Sequence, residues 1–221
     1  MCSCASKTTP KQIVTYDADL YLQKILDLNT ARYPVRGTGE LIITKDDTVQ
    51  KLKSAFASDG INKIRLEILT PAGLPAVSIS YDGNKLYFRE NDGSKTKTFS
   101  NYKKVLKKVT GASPDIKLLS FLFTKKIPLI EFEKALTLED SGNKILYLIS
   151  DKEKQSITLK DSSSGFFSEI ITPEDRFIID FKENGDFKII SEQTGSRILF
   201  TIHSSSKIKN EILKNIFILT R

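Results

Sequence analysis

His203 is the only histidine in the chain, and it closes the segment RILFTIH. A Ser–His–acid triad needs a histidine held between a serine and an orienting carboxylate, and a zinc site needs three or four ligands. One histidine without clustered cysteines or carboxylates supplies neither. The serine-rich segments SSSG and HSSSK carry no matching base and read as turns and loops. Arg36 precedes GTGE, but that run lacks the lysine of a phosphate-binding loop and leads into a strand. Glu139-Asp140 and Asp151-Lys152-Glu153 read as solvated loop residues rather than an acid/base pair. The expectation is therefore of a protein that is not an enzyme, with no metal and no cofactor.

Cys2 and Cys4 are the only cysteines. A disulfide across one intervening residue would constrain nothing, and two thiols make an incomplete metal site. A body free of cysteine behind one or two at the very start suggests a bacterial lipoprotein, whose first mature residue carries acyl chains. Either Cys2 or Cys4 fits that role. Residues 1–15, with the polar run SKTTPKQ, would then form a flexible tether. No apolar signal segment precedes the cysteines, so the chain reads as a mature form restarted at Met1. No apolar run approaches the ~18 residues that span a bilayer. Two incidental cysteines in a cytosolic protein is the competing reading.

The chain has 221 residues, 39% hydrophobic and 28% charged, enough for one sizeable domain. Lys and Arg exceed Asp and Glu by 34 − 27 = 7. That excess favours an anionic partner such as a lipid headgroup, or simply solubility, since the lysines are scattered. Lys103, Lys104, Lys107 and Lys108 share a predicted helix with Tyr102, but they lie opposite Val105, Leu106 and Val109, as on any solvated helix face. No nucleic-acid partner is expected.

The elements that must position any site read as follows. An amphipathic helix runs from Tyr16 to Tyr33, with Asp17 as its cap and Pro34 as its stop. Strand patterns then dominate. In KIRLEIL, Ile64, Leu66 and Ile68 alternate with charged residues, and AVSISY and KLYFRE flank the turn Asp82-Gly83-Asn84. Two helices follow, one capped by Ser100 and stopped by Gly111, the other capped by Ser113 with Pro114 at its first position. The second is apolar nearly all round, which marks a buried helix. Beyond Pro128 the strands return, ending in NIFILTR. About eleven strands with few helices require a strongly curved antiparallel sheet whose concave face is covered. The expectation is one α+β domain over residues 16–221, an incomplete β-barrel with helices packed into its mouth.

Taken in order, these parts resemble the LolA/LolB family of bacterial lipoprotein-localisation proteins, and LolB most. The matching segments are LQKILDLNTARYPVRGTGELIIT, IRLEILTPAGLPAVSISYDG, and LYFRENDGSKTKTFSNYKKVLKKVTGASPDIKLLSFLFTKKIP. The leucine–glycine order in the loop Pro71, Ala72, Gly73, Leu74, Pro75 departs from the family, and the chain has no tryptophan. The resemblance implies that Leu74 projects toward membrane or cargo, with Gly73 and Pro75 setting its direction. It also implies an apolar cavity for acyl chains of lipoproteins or lipids. Ile64, Leu66, Ile68, Val77, Ile79, Leu86 and Phe88 would line it, and Leu119 and Leu122 would serve as a removable plug. A monomer on the periplasmic face of a Gram-negative outer membrane, receiving cargo from a LolA-like carrier, completes the expectation. Ser3 and Ala5 follow the two cysteines, and neither is the aspartate that retains lipoproteins at the inner membrane. The alternative is a structural lipoprotein that binds a protein partner through a sheet edge.

Overall fold

The computed structural model describes residues 18–30, 32–90, 95–140, 142–160, 165–209, 216, 217 and 219. Cys2, Cys4 and the expected tether, with Asp17, lie outside them. Helix α1 (Ala18–Thr30) is followed by strands β1 (Val35–Lys45), β2 (Thr48–Ser58), β3 (Ile64–Leu69), β4 (Pro75–Tyr81), β5 (Leu86–Glu90) and β6 (Lys97–Phe99). Helices α2 (Tyr102–Thr110) and α3 (Ile116–Phe123) come next. Strands β7 (Lys134–Asp140), β8 (Asn143–Ile149), β9 (Lys154–Leu159), β10 (Phe166–Ile171), β11 (Arg176–Phe181), β12 (Phe187–Ser191) and β13 (Arg197–Lys207) complete the order.

All strands join one antiparallel sheet in the order β6-β5-β4-β3-β2-β1-β13-β12-β11-β10-β9-β8-β7. It is two meanders fused through the long β1–β13 pair, which runs from Val35 opposite Lys207 to Thr44 opposite Arg197. The edges β6 and β7 do not pair with each other, so the curved sheet stays open. The chain leaves one edge at β6 and re-enters at the other at β7, so the linking segment must cross a face of the sheet. It crosses the concave one, and this is why α3 is apolar: α3 packs on β2 and β3, while α1 packs on β7 and β8. Phe123 of α3 sits among Phe56, Phe187 and Phe200, with ring centroids 4.7–5.3 Å away. The sheet leaves room for that cage with two glycines. A side chain on Gly37 would meet the Phe56 ring, and one on Gly39 would meet the Phe200 ring.

The fold class matches the expectation, and several details correct it. Thirteen strands occur among the described residues. β6 and β7 are additions, and Glu139-Asp140 ends β7 rather than lying in a loop. The segment NIFILTR is not a final strand: Ile216 and Phe217 sit in a helical turn. Phe217 packs with Ile208 against Ala57, whose strand position puts it on the convex face. Asn101 caps α2 in place of Ser100, accepting the Lys104 N–H, and Asp115 caps α3 in place of Ser113. Gly111 does stop α2, in the left-handed conformation. His203 is exposed within β13 instead of at its end.

Candidate functional site

The expected lining residues share the concave face of one wing of the sheet. The cross-strand registers place Ile64 beside Tyr81 and Leu86, Leu66 beside Ile79 and Phe88, and Ile68 beside Val77. Side chains two apart on a strand share a face, so these rows form one continuous apolar surface. Its inner row is sealed: Ile64 is 6% exposed and Leu86 0%. Leu66, Ile79, Phe88, Ile68 and Val77 in the next two rows are only half-buried. On α3, Leu122 is buried and Leu119 half-buried. The apolar surface therefore opens progressively from the core toward the β3–β4 loop.

That loop carries Leu74 at its tip, 62% exposed. Its shape comes from Thr70. The Thr70 N–H donates to the Leu74 carbonyl at 2.8 Å, and the Thr70 carbonyl accepts from the Gly73 N–H at 2.9 Å. The Thr70 hydroxyl accepts from the Leu74 N–H at 3.2 Å. Gly73 has φ +82°, a value that a residue with a side chain adopts only under strain. Pro75 opens β4 directly opposite Leu69, just after a register shift. The loop is thus built by its own hydrogen bonds and holds Leu74 outward without support from the core.

The inner end of the wing is fixed by polar contacts. The Ser58 and Ser120 hydroxyls lie 2.8 Å apart with both residues fully buried, and the Ser58 hydroxyl also donates to the Ser120 carbonyl. Asp59 accepts the N–H groups of Ile61, Asn62 and Lys63. Lys126 donates to the Gly60 carbonyl at 2.8 Å, and burial holds its pKa below the usual lysine value. These contacts tie α3 to the β2–β3 connection. Tyr81 and Tyr102 meet edge to face at 5.3 Å. Burial, then the nearby Asp115 carboxylate, pushes both phenols upward, so neither ionises near neutrality.

Three surface depressions stand out, and none is lined by the expected cavity residues. One of about 410 Å³ lies across β1, β2, β3 and β13 and includes Arg36, Thr38, Ala55, Ala57, Arg65 and Glu67. A second lies along α1 at Leu20, Gln23 and Leu28, and a third, of about 150 Å³, near Tyr33 and Phe123. Sequence alternation pointed only at apolar positions and so passed over the first. Another feature was not foreseen at this position. β3 pairs with β2 only along residues 54–58, so residues 48–53 have no strand on their outer side among the described residues. No group of three or more potential metal ligands occurs among the described residues. No described helix is long and apolar enough to cross a membrane.

No protein-family model and no curated protein matches the chain. Solved structures do. A domain from Vibrio parahaemolyticus named for outer membrane lipoprotein sorting aligns with TM-score 0.57 at 12% identity, over 91% of this chain and 99% of that one. A DUF1329 family protein from Desulfovibrio piger aligns with TM-score 0.58 at 9% identity, over 90% and 95%. A LolA superfamily protein from Nitrosomonas europaea aligns with TM-score 0.56 at 12% identity, over 90% and 97%. The likeness spans nearly the whole described chain and shows that it has the fold its sequence resemblance implied.

Proposed function

We propose that this protein binds acyl chains of lipoproteins or lipids on the concave face of the β3–β5 wing and helps pass them to a membrane. The observation that carries this reading is the half-buried apolar surface of Leu66, Ile68, Val77, Ile79 and Phe88, which opens toward an exposed Leu74. Apolar area left partly wet gains roughly 25 cal/mol per Å² when an acyl chain covers it. Leu74 would enter the acyl region of cargo or bilayer, with a gain of about 1.5–3 kcal/mol that biases an encounter yet stays reversible. Helix α3, pinned by Ser58 and Ser120, acts as the plug, and its half-buried Leu119 is the residue that yields to a chain. Transfer needs no bond chemistry, because cargo moves to whichever partner binds it more tightly. A periplasmic LolA-like carrier is the proposed donor. Acylation of Cys2 or Cys4 would hold the monomer at the outer membrane by its tether. The fold likeness to a lipoprotein-sorting domain and to a LolA superfamily protein supports the reading at the level of lipid or lipoprotein binding.

The testing experiment is displacement of an apolar fluorescent probe by a diacylated lipopeptide. Saturable displacement is expected from the native protein, and its absence would overturn the proposal. One observation favours a second reading, a structural role through a protein partner. The outer edge of residues 48–53 in β2, which no strand pairs among the described residues, offers backbone groups to which a strand could add.

A further inference from the structure

The convex face carries a groove that the acyl-binding reading does not use. Ala57 lies between Arg36 on β1 and Arg65 on β3, and Ala55 lies between Thr38 and Glu67 in the next row. Ala55 leaves a low floor between Thr38 and Glu67, and Ile216 lines the groove beside Ala57, which Ile208 and Phe217 cover. The groove holds about 410 Å³, within the range of small-molecule sites.

Its walls differ in their chemistry. Arg65 is fully engaged: it donates to Glu67 Oε1 from Nε at 3.0 Å and from Nη2 at 2.6 Å, and to the Ile216 carbonyl from Nη1 at 3.0 Å. Arg36 faces it with an exposed guanidinium that no described carboxylate pairs. Next to Arg36 on β13 are Ser206 and Ser204, on the same face. The Thr38 and Ser204 hydroxyls lie 2.8 Å apart. Whichever of the two donates, the other keeps its proton free for an oxygen placed in the groove. A fork of guanidinium donors beside hydroxyl donors is the arrangement that recognises an oxyanion. The surface beyond it is apolar, formed by Ala55 and Ile216, with Ala57 beneath the Ile208–Phe217 cluster.

We propose that this groove is a binding site for a single-chain amphiphile with an oxyanion head. The head sits between Arg36, Ser204 and Ser206, and the first carbons of the chain lie over Ala55 and along Ile216, which flanks the covered Ala57. The site lies on the opposite face of the sheet from Ile79 and Phe88, so it stands or falls independently of the acyl-binding proposal. Carboxylate and phosphate monoester heads share the required chemistry.

Decanoate, decyl phosphate, decanol and inorganic phosphate, titrated separately into the full chain, separate the alternatives. Amide resonances of Gly37, Ala55 and Ser204 serve as reporters. Decanoate or decyl phosphate is expected to shift those amides saturably, and the tighter of the two identifies the source of the head. Arg36→Gln should weaken that binding about tenfold or more, as loss of a hydrogen bond to a charged group does. Ala55→Leu should fill the floor and abolish it. Thermal melts of both variants confirm that the fold is intact. Equal binding by decanol would overturn the role of the oxyanion. Equal binding by inorganic phosphate would overturn the role of the floor. Unchanged affinity in folded Arg36→Gln or Ala55→Leu, or shifts confined to β3–β5 concave residues, would overturn the site.

Discussion

The ring of Phe123, the last residue of α3, stacks on that of Phe56 in β2, with centroids 4.7 Å apart and planes 20° from parallel. The pair joins the segment that crosses the open sheet to the strand beside its centre, and Phe200 meets both rings edge on. Phe123→Ala should therefore cost about 3–5 kcal/mol, the usual loss for a buried phenylalanine. Urea denaturation measures it. A loss below about 1 kcal/mol would mean that α3 is not fixed to the sheet as the cage implies.

Much of the wing was legible in the sequence. Ile64, Leu66 and Ile68 alternate with charges, and Asp82-Gly83-Asn84 marks the turn that pairs β4 with β5. The apolar girth of α3 foretold burial because a helix crossing a concave sheet is enclosed. Other parts were hidden for physical reasons. In β7 the fully buried residue is Thr137, while Leu136 and Leu138 on the other face are only half-buried, so the short apolar pattern does not mark the strand's inner face. NIFILTR has the composition of a strand, but a short apolar run fits any buried segment, and its Ile216 and Phe217 pack over the convex face at Ala57. Ser78 and Ser80 alternate with Val77 and Ile79 along β4. Both are buried, Ser80 because its hydroxyl donates to the Phe217 carbonyl of that covering segment. The groove at Arg36 escaped notice because it depends on strand pairing that brings residues from β1, β2, β3 and β13 together.

Leu74→Glu should leave the melting temperature nearly unchanged, since an exposed loop side chain contributes within about 0.5 kcal/mol. The same variant should lower the rate of lipopeptide transfer to vesicles by about tenfold or more, because a carboxylate among acyl chains is strongly disfavoured. A folded variant that transfers at the native rate would remove Leu74 from the mechanism.

The Asp82 carboxylate accepts the hydrogen bonds that close the β4–β5 turn. Burial pushes its carboxyl pKa up, but hydrogen bonds from the Lys85 N–H, the Tyr87 hydroxyl and the Asn84 N–H outweigh that and hold it below the usual aspartate value. A depressed folded pKa gives stability that is present above the unfolded value of about 3.9 and lost as pH falls through the folded one. Amide protection in β4 and β5, relative to the intrinsic exchange rate at each pH, should therefore fall on acidification below about pH 4, with the carboxyl carbon of Asp82 titrating below that point. In Asp82→Asn the exchange should be faster at neutral pH and lose this step.

Acylation at Cys2 or Cys4 predicts a lipid mass on the N-terminal peptide of protein recovered from the membranes of its own host. Mass spectrometry of that peptide decides it. An unmodified cysteine in the membrane fraction would contradict the anchor and leave the binding face untouched.

The central claim, that the concave β3–β5 surface takes up acyl chains, is tested most directly by methyl NMR of the isoleucines during titration with a short-chain diacyl lipopeptide. The account predicts saturable shifts at Ile68 and Ile79 on the half-buried rows, while Ile189, fully buried in the other half of the sheet, stays unmoved. Shifts absent from Ile68 and Ile79, or of equal size at the buried Ile189, would contradict it.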